Sequence, residues 1–416
     1  MRVLFSTTGT GIGKTKEEQR KTLEGMVNSF VEKVVEDLNP DKVVLFATED
    51  TKEMVDLIKS KTDKDVEIIQ IKDPDDFNEC FEVMLKTMMK YKGNKLFVNY
   101  TYGTKTMSSA MASCSVLMDA PMICVSGERK GGIVLEGTEK VLRLEPYKFK
   151  DMLILDRVFN FFNAYDFDAS LSEVENLKSF DKKEELRDFI RAYQLWDRFQ
   201  HEKAYELLER VQKFMTFVDK KQVWLNLEFL GSLKRSISKG DEIDVYKKKL
   251  IDLMENARRK IDSGLYDDAV ARLYRATELI SQIMLKEIGY DDPICIDENS
   301  TSERDLKVIE MFKYFAEKKD GKYEIKIGLK SKIELLAEFG IEFAIKMRDD
   351  KKLWNLIKIR NESILAHGLK PVSREEAIKF FEILQEYVKV VYGKNYYKDS
   401  KKVVFPKMGW KYGDQK

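Results

Sequence analysis

Of the two histidines in this 416-residue chain, His367 stands in the more telling place. It closes the run Arg360-Asn361-Glu362-Ser363-Ile364-Leu365-Ala366-His367, in which six residues separate the arginine from the histidine. An imidazole exchanges protons near neutral pH, and a guanidinium steadies developing negative charge. Together they suit the attack of a ribose 2′-hydroxyl on its neighbouring phosphate, a reaction that needs a proton handler and a cation. Asn361, beside the arginine, has the amide to orient a sugar or phosphate. The apolar spacing from Leu353 predicts one helix running through His367, with Gly368 and Pro371 as stop signals. Arg360 and His367 would then share a face about 10 Å apart along the axis. A histidine ending that helix would feel the negative end of its dipole, which favours the protonated form and suits it to act as an acid. Taken alone, an arginine and a histidine on one helix are more often structural than catalytic. His201, in Gln200-His201-Glu202-Lys203, reads as a surface residue of a polar turn.

A second chemical signal lies at the start of the chain. Ser6-Thr7-Thr8-Gly9-Thr10-Gly11-Ile12-Gly13-Lys14-Thr15 suggests a phosphate loop, but Thr8 stands where G-x-x-x-x-G-K-T needs its first glycine. The same glycines miss G-x-G-x-x-G by one position. A P-loop NTPase and a dinucleotide-dependent dehydrogenase are therefore set aside. What remains is a Gly/Thr-rich loop after a first strand, where open α/β sheets take ligands. Asn99-Tyr100-Thr101-Tyr102-Gly103-Thr104-Lys105-Thr106-Met107 forms a second such loop, opening a helix whose amides and Lys105 can face an anion. The competing reading is that these glycines only make tight strand-to-helix turns.

The elements that must position these residues divide the chain in two. Up to about residue 150, short apolar runs alternate with amphipathic stretches, which predicts a Rossmann-like parallel sheet between helices. Strands are expected at Val3 to Ser6, Lys42 to Ala47, Val66 to Ile71, Lys95 to Asn99 and Met122 to Val125. A hairpin over Gly127 to Leu135 and a last strand near Val141 to Leu144 should follow. From Asp151 onward strand patterning vanishes and helical spacing persists to about Tyr392. Three helix starts with an early alanine (Ala169, Ala204, Ala269) suggest close αα-hairpins without forming a true repeat. Ser373 to Glu376 is a capping box and Gly393 a stop. Arg272, Arg275 and Glu278 read as a structural charge cluster. The basic segment after Lys394 could stack on single-stranded RNA, although packing of its aromatic residues on the helical half is preferred.

Composition narrows the classes. With 73 Lys and Arg against 72 Asp and Glu, no whole-molecule field draws the chain to nucleic acid, so stable DNA binding is not expected and RNA contact must be local. The four cysteines form no C-x-x-C pair, which argues against disulfides and a metal site and fits a cytoplasmic location. No apolar run approaches membrane-spanning length.

The run R-N-x-x-x-x-x-H resembles the HEPN ribonuclease motif, and Gly264 to Glu278 is similar to the helix that precedes it in CRISPR-associated HEPN proteins. Thr101-Tyr102-Gly103-Thr104-Lys105-Thr106-Met107 resembles the T-G-G-T-K-x-M segment of CARF domains, with Tyr102 in place of a glycine. Glu136-Gly137-Thr138-Glu139 is also similar to the end of such a domain. The resemblance to type III CRISPR CARF-HEPN ancillary ribonucleases covers nearly the whole chain. It implies an α/β Rossmann-like CARF domain over 1–148, a helical linker region over 149–240, an all-α HEPN domain over 241–395 and a basic tail over 396–416. It further implies a homodimer that cuts single-stranded RNA, without a metal or other required cofactor, when cyclic oligoadenylate binds. Cyclic tetra-adenylate is the favoured activator and cyclic hexa-adenylate the alternative. Arg360, Asn361 and His367 would be catalytic; Thr8, Gly9, Thr10, Thr101, Gly103, Thr104 and Lys105 would hold the activator. The rival reading is a non-enzymatic sensor or adaptor binding a partner through its helical half.

Overall fold

The computed structural model describes residues 1–130, 133–134, 137–211 and 217–412. It divides into two compact units, Met1–Leu155 with Asn176–Asp181, and Asp156–Glu175 with Lys182–Lys416.

In the first unit, apolar runs long enough to be covered on both faces become the central strands of a sheet. These are β1 (Arg2–Thr7), β2 (Lys42–Ala47), β4 (Lys95–Asn99) and β5 (Met122–Ser126), while the half-exposed β3 (Asp65–Gln70) forms one edge beside β2, all five being parallel. An antiparallel edge strand, β6 (Lys140–Leu144), completes the order β3-β2-β1-β4-β5-β6. Helix α1 (Lys16–Ser29), prolonged by a π-helical stretch Phe30–Val35, and α2 (Lys52–Lys61) bury Leu23, Val27, Phe30 and Met54 on one face. Helices α3 (Phe77–Lys90) and α4 (Lys105–Leu117) cover the other with Met84, Met107, Met111 and Cys114. Burial pushes the Cys114 thiol up to about 12, as for an inert core residue. Of the expected hairpin, Arg129–Lys130 pairs with Ile133–Val134; Gly131, Gly132, Leu135 and Glu136 lie outside the described residues.

The second unit is helical: α5 (Tyr147–Asn163) enters it from the first, followed by α6 (Phe167–Glu175), α7 (Lys183–Asp197), α8 (His201–Arg210), α9 (Lys220–Lys239), α10 (Glu242–Asp262) and α11 (Tyr266–Glu287). Beyond these come α12 (Glu303–Met311), α13 (Leu329–Glu338), α14 (Glu342–Asp349), α15 (Lys351–Asn361) and α16 (Arg374–Tyr392). The capping box at Ser373 and Glu376 is formed and Gly393 ends α16. Ala204 and Ala269 are fully buried, as close helix approach requires.

One element departs from the helical expectation. Strands β7 (Ile294–Asp297), β8 (Ala316–Lys319) and β9 (Lys322–Ile325) make a small antiparallel sheet. Two of its strands, Ala316–Lys319 and Lys322–Ile325, are rich in charge, and the third, whose Ile294 and Ile296 are buried in alternation, is only four residues long, too short for that alternation to stand out. The Asp320-Gly321 turn, with both φ angles positive, is nevertheless a known hairpin signature.

The segment after α16 packs into this unit. Phe405 is buried, its ring 4.9 Å from that of Tyr193 and 5.0 Å from that of Trp196. Asn226 donates to the carbonyls of Lys402 and Val404. Packing of aromatics on the helical half, the preferred expectation, thus describes Phe405 and also Trp410, whose ring meets Phe159 and Phe217.

Candidate functional site

The strand order reverses between β1 and β4, the place where open α/β sheets form a ligand crevice. Ser6 is paired with Asn99, whose amide donates to the Ser6 hydroxyl at 2.9 Å. The two Gly/Thr loops therefore leave the sheet level with each other. They touch at their glycines: a Cβ on Gly9 would lie 3.1 Å from the Gly103 nitrogen, and one on Gly103 3.1 Å from the Thr8 carbonyl. Gly103 also has φ +87°, a conformation that favours glycine.

The predicted activator residues separate into bracing and exposed groups. Thr8 is turned inward: its hydroxyl meets the Phe46 carbonyl at 3.0 Å and Thr51 at 2.7 Å, so it ties β1 to β2. Gly9 is buried, its amide 3.2 Å from the Met54 sulfur. The Thr101 hydroxyl is held by Asn99 and by the Val125 amide. Thr104 caps α4, accepting from the Met107 amide at 3.1 Å and donating to the Pro74 carbonyl at 2.7 Å. Thr10, Gly103 and Lys105 remain exposed at the rim. Tyr102, which replaces a glycine of the resembling segment, points into the core instead. Its hydroxyl donates to the Met26 carbonyl at 3.1 Å and its ring meets Phe30 edge-on, burial pushing the phenol well above its usual range.

The failed phosphate-loop reading has a visible cause. The amides of Lys14 and Thr15 donate to the Glu18 carboxylate, at 2.7 and 3.2 Å, and that of Ile12 to the Thr22 hydroxyl at 2.8 Å. The amides a phosphate loop would offer are thus engaged by a carboxylate of the chain itself, in the capping box of α1.

In the second unit, α15 is anchored by Asp350, which caps its first turn and accepts from the Tyr387 hydroxyl at 2.8 Å. Leu353, Leu356 and Ile357 bury its apolar face. This carries Arg360 and Asn361 to the helix end, and there the expectation of an unbroken helix fails. The chain turns at Glu362, and the amides of Ser363 and His367 return to the carbonyls of Arg360 and Asn361, both at 3.1 Å. Gly368 closes the loop onto the Ser363 carbonyl at 3.2 Å. A Cβ on Gly368 would lie 1.8 Å from the Glu362 oxygen, so the glycine acts by close approach and not as a helix stop. His367 is accordingly on a loop folded back over the helix end, and that end belongs to Asn361. The loop, more than helical periodicity, brings the three residues into one neighbourhood.

His367 and Asn361 are exposed and Arg360 is half-buried. The Arg360 guanidinium donates to the Asn361 side-chain oxygen at 3.1 Å and lies over the Tyr274 ring, 4.1 Å from its centroid. Tyr274, on α11, was not singled out from the sequence; it lies in the run from Gly264 to Glu278, where a ring at that position was the available signal. Downstream, the Val372 amide donates to Asp267 at 3.3 Å, fixing the loop exit to the start of α11. Arg272 pairs with Asp268 and Arg275 with Glu278, a structural charge cluster as expected.

His201 is not a surface residue. It is largely buried and lies 2.7 Å from Asp252, whose other oxygen accepts from the Trp196 indole at 2.9 Å.

A Rossmann-like domain with a ligand rim at its strand reversal, preceding a helical unit with an exposed arginine-histidine loop, defines the CARF-HEPN class. Residues 151–238 match the family model described as Csm6 6H domain, and residues 240–391 the Csm6 HEPN domain. The chain belongs to the type III CRISPR-associated CARF-HEPN ribonuclease family, in its Csm6 group. Among solved structures, Enterococcus italicus Csm6 bound to cyclic hexa-2′-fluoro-hexa-dAMP is 15% identical and superposes with a TM-score of 0.63. The match covers 97% of this chain and 100% of that one. Can2 from Sulfobacillus thermosulfidooxidans in complex with cyclic tetra-adenylate is 14% identical over 57% of this chain and 68% of its own, with a TM-score of 0.24. No curated protein sequence matches the chain. Among the described residues, no helix is long and apolar enough to cross a membrane.

Proposed function

We propose that this protein is a cyclic oligoadenylate-activated, metal-independent endoribonuclease that works as a homodimer on single-stranded RNA. The observation that carries the reading is the loop that folds His367 back beside Arg360 and Asn361 while leaving the imidazole open to solvent. In the reaction, the 2′-oxygen bonds to phosphorus as the bond to the 5′-oxygen breaks, leaving a 2′,3′-cyclic phosphate and a 5′-hydroxyl. His367 moves the proton, Arg360 meets the charge on the phosphoryl oxygens, and Asn361 orients the guanidinium and the ribose.

One imidazole handles one proton at a time, so a site built from two copies supplies both an acid and a base. Exposed apolar side chains support pairing in each unit: Ile364, Leu365 and Leu369 are 59, 53 and 87% exposed beside the motif, and Leu142, Leu144, Phe149, Met152 and Leu153 are open in the first unit. The activator contacts are Thr10, Gly103 and Lys105, with the amides at the start of α4. The bound ligand of the Enterococcus italicus protein supports a cyclic oligoadenylate as the ligand class. Cyclic tetra-adenylate is our first choice of ring and cyclic hexa-adenylate the second. Activation requires only that the ligand bind the cutting arrangement more tightly than the resting one.

The test is incubation of the protein with labelled single-stranded RNA, a chelator and cyclic tri-, tetra- or hexa-adenylate. Cleavage to 2′,3′-cyclic phosphate ends with one ring size is expected. Absence of cleavage with every ring, despite measurable binding of one, would move the protein to the adaptor class.

A further inference from the structure

A groove of about 490 Å³ runs between α8 and α9, away from the arginine-histidine loop in the chain and assigned to no activity. Its floor is Gly231, where a Cβ would lie 3.3 Å from the edge of the Tyr205 ring and 3.6 Å from Arg235. The missing side chain leaves that part of the ring uncovered. The Tyr205 hydroxyl donates to Glu209 at 2.8 Å, which fixes the ring, and the Lys234 ammonium lies 5.4 Å from its centroid. Arg235 and Lys239, both exposed, have no carboxylate partner among the described residues. The acids nearby are engaged: Glu209 with Tyr205, Glu206 with Lys234 at 3.8 Å, and Glu228 with Lys402 at 2.7 Å.

The helix prolongs this surface. Trp224 precedes Gly231 by seven residues, two turns on the same face and about 10.5 Å along the axis, and it is 55% exposed. The exposed Trp224 ring and the half-exposed Tyr205 ring are thus followed by Lys234, Arg235 and Lys239 along one side of α9. An aromatic ring gains by stacking any base, and cations beside it track a phosphate backbone; the combination is how proteins hold single strands without reading sequence. An acidic protein segment would use the cations but leave the rings unexplained.

We infer that the groove between α8 and α9 is a second binding site for single-stranded RNA, with a base on Tyr205, the strand continuing toward Trp224, and phosphates on Arg235 and Lys239. The inference rests on the ribonuclease reading for the identity of the strand as substrate. It explains how a chain of near-zero net charge gathers RNA through a local field.

The test uses the full-length protein and a 2′-O-methylated single-stranded oligoribonucleotide, which cannot be cleaved, with affinity measured by fluorescence anisotropy across a salt series. The double variant Arg235→Gln/Lys239→Gln removes two phosphate contacts from exposed positions. The slope of log affinity on log salt should fall in magnitude by about 1.4, and affinity should drop about 10-fold or more at low salt. Tyr205→Ala should weaken binding with the slope retained, because stacking carries no counterion. An unchanged slope and affinity in the double variant overturns the groove, as does equal competition by polyglutamate. Because the oligonucleotide is uncleavable, loss of the ribonuclease reading would show separately, as groove-dependent binding by a protein that cuts no RNA under any activator.

Discussion

The guanidinium of Arg360 rests on the ring of Tyr274, 4.1 Å from its centroid, while one of its nitrogens donates to Asn361. One face of the arginine is thereby fixed by a neighbouring helix and one edge by its own neighbour. Replacing Tyr274 by leucine keeps apolar bulk but removes the π face, worth about 0.5–2 kcal/mol. RNA cleavage should slow about 2- to 30-fold, and Tyr274→Phe should retain the wild-type rate. Equal losses in both variants would mean that the phenol hydroxyl, not the ring, supports Arg360.

His367→Ala should reduce cleavage about 100-fold or more, the loss usual for a general acid or base. Calorimetric titration should find cyclic oligoadenylate affinity unchanged, since the activator residues belong to the first unit. Wild-type cleavage by this variant would remove His367 from the chemistry.

Gly368→Ala places a methyl carbon where the Glu362 oxygen lies 1.8 Å away. The loop must open, at a cost of about 1–3 kcal/mol, and the hydrogen bond from His367 to Asn361 goes with it. Activity should be lost while the melting temperature falls by only a few degrees. A fully active variant would show that the return of the loop does not position the histidine.

At the other end of the chain, Lys105→Ala should weaken activator binding about 10-fold or more, as a lost charge-assisted hydrogen bond does. Gly9→Val should weaken it too, by forcing the two loops apart. Thr8→Val, in contrast, should lower thermal stability, because its hydroxyl serves Phe46 and Thr51. Binding unaffected by Lys105→Ala would place the anion elsewhere on the rim.

The helical unit should be acid-sensitive through Asp197. Burial raises its pKa, but Arg259 and Lys260, each 2.9 Å away, more than offset this and hold the carboxyl below its ordinary range. A depressed folded pKa gives stability that is present above the unfolded value, about 3.9, and is lost as pH falls through the folded one. Asp197→Asn strands the buried Arg259 and should cost about 3–5 kcal/mol at neutral pH. It should also flatten the fall of melting temperature below about pH 4. An unaltered acid limb would assign the sensitivity to other carboxylates.

What could be read from the sequence was whatever is local. Val43 to Ala47 is a short apolar run rich in β-branched residues after Asn39-Pro40, which reads as a covered strand, and the glycines at 9 and 103 mark turns on their own. The arginine-histidine loop was harder. Ile364 and Leu365 fall at spacings that continue the apolar stripe of α15, but both are exposed, so periodicity imitated a helix that ends earlier. His201 was misplaced because its partner is 51 residues away, on a helix whose polar stripe of Asp252, Glu255, Asn256 and Arg259 looks solvated until its burial is seen. The motif residues were legible as a set; their geometry was not, because it depends on Gly368 meeting Glu362 and on a ring from α11.

Phe405 has a consequence in time. It lies against Tyr193, Trp196 and the guanidinium of Arg259, whose carbon is 3.8 Å from the ring centroid. During translation the helix carrying Phe229, which stacks on Trp196, leaves the ribosome well before that ring. At about 5–20 residues per second, the delay is roughly ten to thirty-five seconds. A nascent chain therefore holds its aromatic centre open for that interval, and the polypeptide becomes a finished helical body only when its late-made segment arrives.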